Sequence, residues 1–319
     1  MHPRSPPAKL LAFPAPRRET RQFLVAAALS TSLVGCSHGV LDPRGPIGAA
    51  DAQIMLNALG IMLVIGVPTI AATFAFAWWF RASNTKARYW PDWTHSGRIE
   101  LLVWSIPLLT IMFLGGLIWL GAHELDPYVP IASQNSPNKS ADKSLEVQVV
   151  SLDWKWLFIY PDQRIASVND LVVPAATPVH FSLTSASVMN SFFVPQLGTM
   201  IATMNRMVTQ LHLEASHVGD YYGLSTQFSG DGFSDMHFYV HAVPEDAFAQ
   251  WVAKVQQAGP VLNRAGYTQL LHISQHIRPF TYKSVDPDLF HAIATDQISP
   301  GPGLETEGSG PPSRRIAPR

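Results

Sequence analysis

Apolar residues follow three regimes along this chain. Over residues 56–80 (LNALGIMLVIGVPTIAATFAFAWWF) and 101–122 (LLVWSIPLLTIMFLGGLIWLGA) they run without a charge. A helix needs roughly 20 apolar residues to cross a bilayer, so both runs predict spanning helices joined by a short basic turn. A soluble core helix is the alternative, but buried helices rarely run this long without a charge. From residue 145 the period drops to two: 145–149 (LEVQV), 179–184 (VHFSLT) and 207–213 (MVTQLHL) alternate, and 237–243 (HFYVHAV) is β-rich. Turn residues separate them, at Pro161-Asp162, Asn169-Asp170, Pro174, Gly198, Gly219-Asp220 and Gly230-Asp231-Gly232. Short strands with regular turn signals predict a β-sandwich or barrel. After Pro244 the period becomes helical, with Phe248, Trp251, Val252 and Val255 at i, i+3, i+4, i+7 spacing. A second short helix is expected over 287–294.

The N-terminal segment adds an export pattern. Arg17, Arg18 and Arg21 precede an apolar stretch at 23–34 (FLVAAALSTSLV), too short to span. Leu33-Val34-Gly35-Cys36 follows, and it resembles the lipobox of bacterial lipoproteins. That resemblance implies a signal peptide over 1–35 and a lipidated Cys36 as the mature N-terminus, at the outer face of the plasma membrane. The alternative is an ordinary buried cysteine after an uncleaved anchor. Charge gives an independent topology. Arg81, Lys86, Arg88 and Arg98 lie between the apolar runs with Asp92 against them, whereas Glu124 and Asp126 follow the second run. Short loops rich in Lys and Arg stay cytoplasmic. The turn is therefore expected inside, and everything after residue 126 in the periplasm. Trp78, Trp79, Tyr89, Trp90 and Trp93 near the inner boundary, and Trp119 near the outer one, read as an aromatic belt.

Composition narrows the chemistry. The 319 residues carry a net charge of −1, which offers nothing to nucleic acid, and only 14% are charged, which fits a chain partly in lipid. The single cysteine excludes an intrachain disulfide and a multi-thiolate metal site. Twelve histidines invite a metal. On a strand, however, His237 and His241 would lie about 13 Å apart. His180 and His212 take polar-phase positions and are expected to face solvent. A blue-copper site needs a thiolate, and Cys36 lies far away in sequence. No Ser/His/Asp constellation stands out, and Gly230-Asp231-Gly232 is too short for a phosphate loop.

Two outward-ended helices followed by a β-sandwich resemble subunit II of haem-copper terminal oxidases, most closely that of bo-type ubiquinol oxidases. The resemblance spans Cys36 to about Pro287. Residues 187–198 (SVMNSFFVPQLG) are similar to the family's copper-ligand strand, in which cytochrome c oxidases carry His at the place of Asn190. Residues 227–236 (QFSGDGFSDM) are similar to the second copper loop, whose pattern is Cys-x-x-x-Cys-x-x-x-His-x-x-Met. Here those places hold Phe228, Gly232, Met236 and Tyr239, none suited to copper. Such loss is what quinol oxidases show, because quinol delivers electrons within the membrane to subunit I. Asp153-Trp154-Lys155-Trp156 is similar to the family's aromatic strand, near the electron-entrance region in copper-bearing relatives; packing of both tryptophans in the sandwich is the plainer expectation. Glu100 opens the second helix where the family has an acidic residue that admits protons to a channel into subunit I. A helix-dipole partner is the simpler role for it.

The expected fold is a two-helix transmembrane hairpin plus an all-β cupredoxin-like sandwich with a C-terminal helical extension. Its divisions are 1–35 signal peptide, 36–125 hairpin, 126–144 linker, 145–243 copper-free sandwich, 244–298 aromatic-rich extension and 299–319 tail. The resemblance implies a non-catalytic subunit of a proton-pumping ubiquinol oxidase, serving assembly, capping and proton uptake. This chain would hold no cofactor; haems and copper would belong to subunit I, docked through the hairpin, with subunits III and IV and membrane lipid as further partners. Gly60, Gly66, Gly115 and Gly116 would allow close helix approach on that docking surface. A copper electron-transfer protein, and a lipoprotein scaffold or binding module unrelated to respiration, are the competing classes.

Overall fold

The computed structural model describes residues 39–88, 90–131 and 144–301. Two helices long and apolar enough to cross a membrane come first, α1 over Pro46–Trp79 and α2 over Gly97–Glu124. The strands are β1 Leu145–Leu152, β2 Lys155–Tyr160, β3 Ile165–Val168, β4 Asp170–Pro174, β5 Val179–Ser185, β6 Asn190–Phe193, β7 Ile201–Thr203, β8 Thr209–Leu213, β9 Gly219–Ser225 and β10 His237–Val243. The extension holds α3 Glu245–Gln257, β11 Val261–Leu262, α4 Arg264–Leu270, β12 Phe280–Tyr282, β13 Ser284–Val285 and α5 Leu289–Ala294.

α1 begins ten residues before its apolar run. At ~1.5 Å per residue its 34 residues reach about 51 Å, well beyond the ~30 Å of hydrocarbon. The surplus is its head, which is seated in the sandwich. Arg44 N donates to Gln196 O (2.7 Å), Gly48 N to Leu197 O (2.9 Å) and Ser216 N to Arg44 O (2.8 Å). Thr199 Oγ1 reaches Asp51 Oδ2 at 3.2 Å. Pro46 occupies the first turn, where its missing N–H costs nothing. Farther along, a Cβ on Gly121 would stand 2.5 Å from Ile54 Cδ1, so that glycine lets the two helices close up. Gly60, Gly66, Gly115 and Gly116 do not join this contact; a Cβ on any of them would meet nothing within 4 Å.

The sandwich pairs a six-stranded sheet, β12-β3-β2-β1-β5-β8, with a five-stranded one, β4-β10-β9-β6-β7. β1 runs parallel to β5 and β10 parallel to β4; the other pairs within these two sheets are antiparallel. Trp156, Phe158, Phe181, Phe192 and Phe238 fill the space between the sheets. Trp156 meets Phe192 and Phe238 edge-on at 5.6 and 5.5 Å. The chain changes sheet at Asn169, whose φ of 57° makes a one-residue corner between β3 and β4. Its side chain secures the corner: Oδ1 accepts from Trp156 N (2.8 Å) and Nδ2 donates to Ile277 O (3.0 Å).

A second core lies on the opposite face of the six-stranded sheet. Val150, Leu152, Leu157, Ile159, Ala166 and Val168 are covered there by Leu262, Tyr267, Leu270, Leu289, Phe290 and Ile293 of the extension. The extension is thus more than a set of helices. It returns β12 to the sandwich, pairing Phe280 with Val168 and Tyr282 with Ala166. α3 sets Phe248 and Trp251 against Tyr160, at ring separations of 6.4 and 5.4 Å.

Candidate functional site

Three of the five positions that resemble copper ligands are linked through Ser225, Ser229 and Trp154, and two stand apart. Asn190 opens β6 almost fully buried. Its Nδ2 donates to Val188 O at 3.3 Å, and its Oδ1 accepts from Ser225 Oγ at 3.2 Å. Ser225 N in turn donates to Met236 O at 3.1 Å. Met236 is buried too, with Ser229 Oγ 3.9 Å from its sulfur. Trp154 closes the group. Its indole N–H donates to Ser229 O (3.0 Å), and a Cβ on Gly232 would lie 2.3 Å from its ring. Phe228 instead points outward, 69% exposed, beside Phe233 at 5.7 Å. Tyr239 stands on the outer face of β10, 5.7 Å from the ring of Tyr222. The residues that converge supply a carboxamide, a thioether and an indole, with no thiolate or imidazole among them. That donor set does not fit copper. Among the described residues no group of three or more His, Cys, Asp or Glu is placed to hold a metal ion.

The far end of the hairpin carries the other candidate. Ser96 N-caps α2, and Glu100 sits in its first turn. Glu100 Oε1 and His95 Nδ1 are 2.8 Å apart, and both side chains are exposed. The pair can share a proton and exchange it with water. His95 is a partner that sequence reading did not single out; its signal was its place just ahead of an acidic first turn. Cys36, the expected lipidation residue, lies outside the described residues, as do 132–143 of the linker and 302–319 of the tail.

One expectation about titratable groups needs correction, and a buried lysine adds to it. His180 and His212 do not face open solvent. Their rings stack at 4.6 Å across β5 and β8. His180 Nδ1 bonds Glu146 Oε2 (2.6 Å), and His212 Nδ1 reaches Pro127 O (3.1 Å), just past α2. The segment leaving the hairpin covers this part of the sheet, and burial holds His212 below the ordinary imidazole range. Lys155, on a strand read as aromatic, is only 1% exposed. Its Nζ donates to Asp153 O (3.1 Å), His272 O (2.8 Å) and Ser274 Oγ (2.5 Å), joining the sandwich to the extension. Burial pushes its pKa down to about 8, with Asp153 opposing the shift.

Comparison with known proteins places this geometry in context. The family model for the cytochrome c oxidase subunit II periplasmic domain matches residues 161–243. Cytochrome bo(3) ubiquinol oxidase subunit 2 of Pseudomonas aeruginosa is 46% identical over 263 residues, covering 82% of this chain and 77% of the relative. Ubiquinol oxidase subunit 2 of Acetobacter aceti is 47% identical over 262 residues, covering 82% of this chain and 83% of the relative. Among solved structures, the periplasmic domain of cytochrome oxidase subunit II from Bradyrhizobium japonicum aligns at 23% identity and a TM-score of 0.35, covering 36% of this chain and 96% of that one.

Proposed function

The chain belongs to the ubiquinol oxidase subunit 2 family, and from that premise we propose that it is the non-catalytic second subunit of a complex that oxidises ubiquinol, reduces dioxygen to water and moves protons outward. The observation that carries the reading is what occupies the copper-ligand-like positions. Their scaffold is kept, but the linked positions hold a buried Asn190 bonded to Ser225, a buried Met236 beside Ser229, and Gly232 under the ring of Trp154. A sandwich built this way has no group to accept electrons from a soluble donor. Electrons therefore enter the complex within the membrane, through a haem- and copper-bearing subunit I that docks on the exposed faces of α1 and α2. Subunits III and IV complete the complex. The basic turn, with Arg81, Lys86, Arg88 and Arg98, lies on the cytoplasmic side, and the acidic residues Glu124 and Asp126 on the other. The sandwich then stands in the periplasm, with Cys36 lipidated beside it. Affinity purification through this chain is expected to bring down a haem-bearing subunit with quinol oxidase activity. A preparation free of haem would overturn the reading.

Within that complex Glu100 is the proton collector. Its carboxylate lies at the cytoplasmic boundary and shares a hydrogen bond with His95, so either group can take a proton from water and pass it to the other. Glu100→Gln removes the exchangeable carboxyl but keeps its shape. We expect it to slow steady-state oxygen reduction several-fold with haem content unchanged, and His95→Ala to slow it less. Wild-type turnover and proton pumping in Glu100→Gln would rule the role out.

A further inference from the structure

The turn between α1 and α2 has a chemistry that proton uptake does not use. Arg81, Lys86 and Arg88 are all exposed. Among the described residues none of them, nor Arg98, pairs with a carboxylate. Two of these cations are held by interfacial tryptophans. Arg81 Cζ lies 4.8 Å from the centroid of Trp78 and Arg88 Cζ 4.6 Å from that of Trp90. Arg81 is fixed further, with Nε donating to Ser83 Oγ and one terminal nitrogen to Trp78 O, each at 3.0 Å. The other terminal nitrogen has no partner among the described residues. Trp78, Trp79, Trp90 and Trp93 expose between 46% and 64% of their surface around these cations. The turn thus offers guanidinium planes at the depth where indole rings meet lipid headgroups.

We propose that this turn is a docking site for anionic phospholipid headgroups, such as phosphatidylglycerol or cardiolipin, of the adjoining leaflet. Guanidinium forks match phosphate oxygens two at a time, and stacking on indole keeps them in the geometry that does so. Acyl chains of the same lipid pass down beside Trp78 and Trp79 at the end of α1. The opposite end of the hairpin carries Glu124 and Asp126, which repel the same headgroups, so the preference belongs to one leaflet. An anionic surface favours each nearby Lys or Arg by roughly fivefold in partition.

The proposal rests on the hairpin spanning a bilayer with this turn at its cytoplasmic face, and the test separates the two. The intact complex is purified from membranes in mild detergent, and its bound lipids are counted and identified by native mass spectrometry. Wild type is expected to retain at least one anionic phospholipid. Arg81→Gln/Arg88→Gln is expected to retain it about 25-fold less, relative to phosphatidylethanolamine. Equal anionic lipid in both, or only zwitterionic lipid on wild type, overturns the proposal. Loss of the haem-bearing partner from wild type overturns the functional reading instead, and the lipid count on the isolated full chain still decides this one. If the double variant does not accumulate, Lys86→Gln/Arg88→Gln leaves the helix end untouched and carries the same comparison; unchanged retention there also overturns it.

Discussion

Gly45→Val is expected to unseat the sandwich from the head of α1. The obstacle is steric and is made of backbone. A Cβ at Gly45 would stand 2.2 Å from Glu214 O and 3.0 Å from Leu197 O, and one at Gly48 would stand 2.8 Å from Gln196 O. Gly45 has φ −139° and ψ 163°, extended backbone that any residue adopts, so only the close approach demands glycine. Carbonyls held in two loops cannot swing aside as a side-chain end could. Relieving the clash means lifting the segment away, at the cost of its bonds from Arg44 to Gln196, from Gly48 to Leu197 and from Ser216 to Arg44. Each bond is worth about 1 kcal/mol net, and overpacking adds about 1–3 kcal/mol. A local loss of about 4 kcal/mol follows, or roughly a thousandfold in amide protection. Hydrogen exchange reads it directly. The amides of Arg44, Gly48 and Ser216 should lose protection by that factor, while those of β10 keep theirs. Unchanged protection at Gly48 would show that the loops yield, and that the seat is softer than its distances imply.

That seat also marks where sequence reading stopped short. The apolar run starting at residue 56 declared a span, because a chain in lipid cannot carry charge. Residues 46–55 (PIGAADAQIM) show no such run and include Asp51, which is tied to Thr199. Their reason for being helical is the sandwich they sit in, and no local pattern records it. Strand legibility divides in the same way. The front of β1 and the strands β5, β8 and β10 alternate because one face of each meets the inner core and the other does not. β2 and β3 are buried along their whole length, since the extension covers their second face. An uninterrupted KWLFIY has no period to read. Ligand identity at the copper-like positions was open to inspection, residue by residue. The way Trp154 fills the space over Gly232 was not, because it depends on a contact between segments about 80 residues apart. His180 and His212 were misjudged for a related reason: periodicity identifies the outer face of a sheet but not the segment that later covers it.

Lys155 carries the other large effect, and its pH dependence separates it from ordinary packing. A buried ammonium is costly, and here three acceptors and the Asp153 carboxylate offset the cost. Lys155→Met fills similar volume but leaves the carbonyls of Asp153 and His272 without the Lys155 donor. Each buried acceptor left without its donor typically costs about 1–3 kcal/mol, so the variant should lose about 2 kcal/mol at pH 7. The pH response follows from the direction of the shift. Folding lowers the Lys155 pKa from 10.5 to about 8, so between those values the unfolded chain binds the extra proton. Wild-type stability should therefore rise through that window, by about 3 kcal/mol from this group once the pH passes 10.5. Other titrating groups are common to both proteins and cancel in the difference. Urea unfolding at pH 7.5 and pH 10 should show the gap between wild type and Lys155→Met widening with pH. A flat gap would mean that the ammonium is solvated in the folded protein. The extension would then be held to the sandwich by the β12–β3 pairing, by α3 against Tyr160, and by Tyr267, Leu270, Leu289 and Phe290 against the outer face of β1–β3.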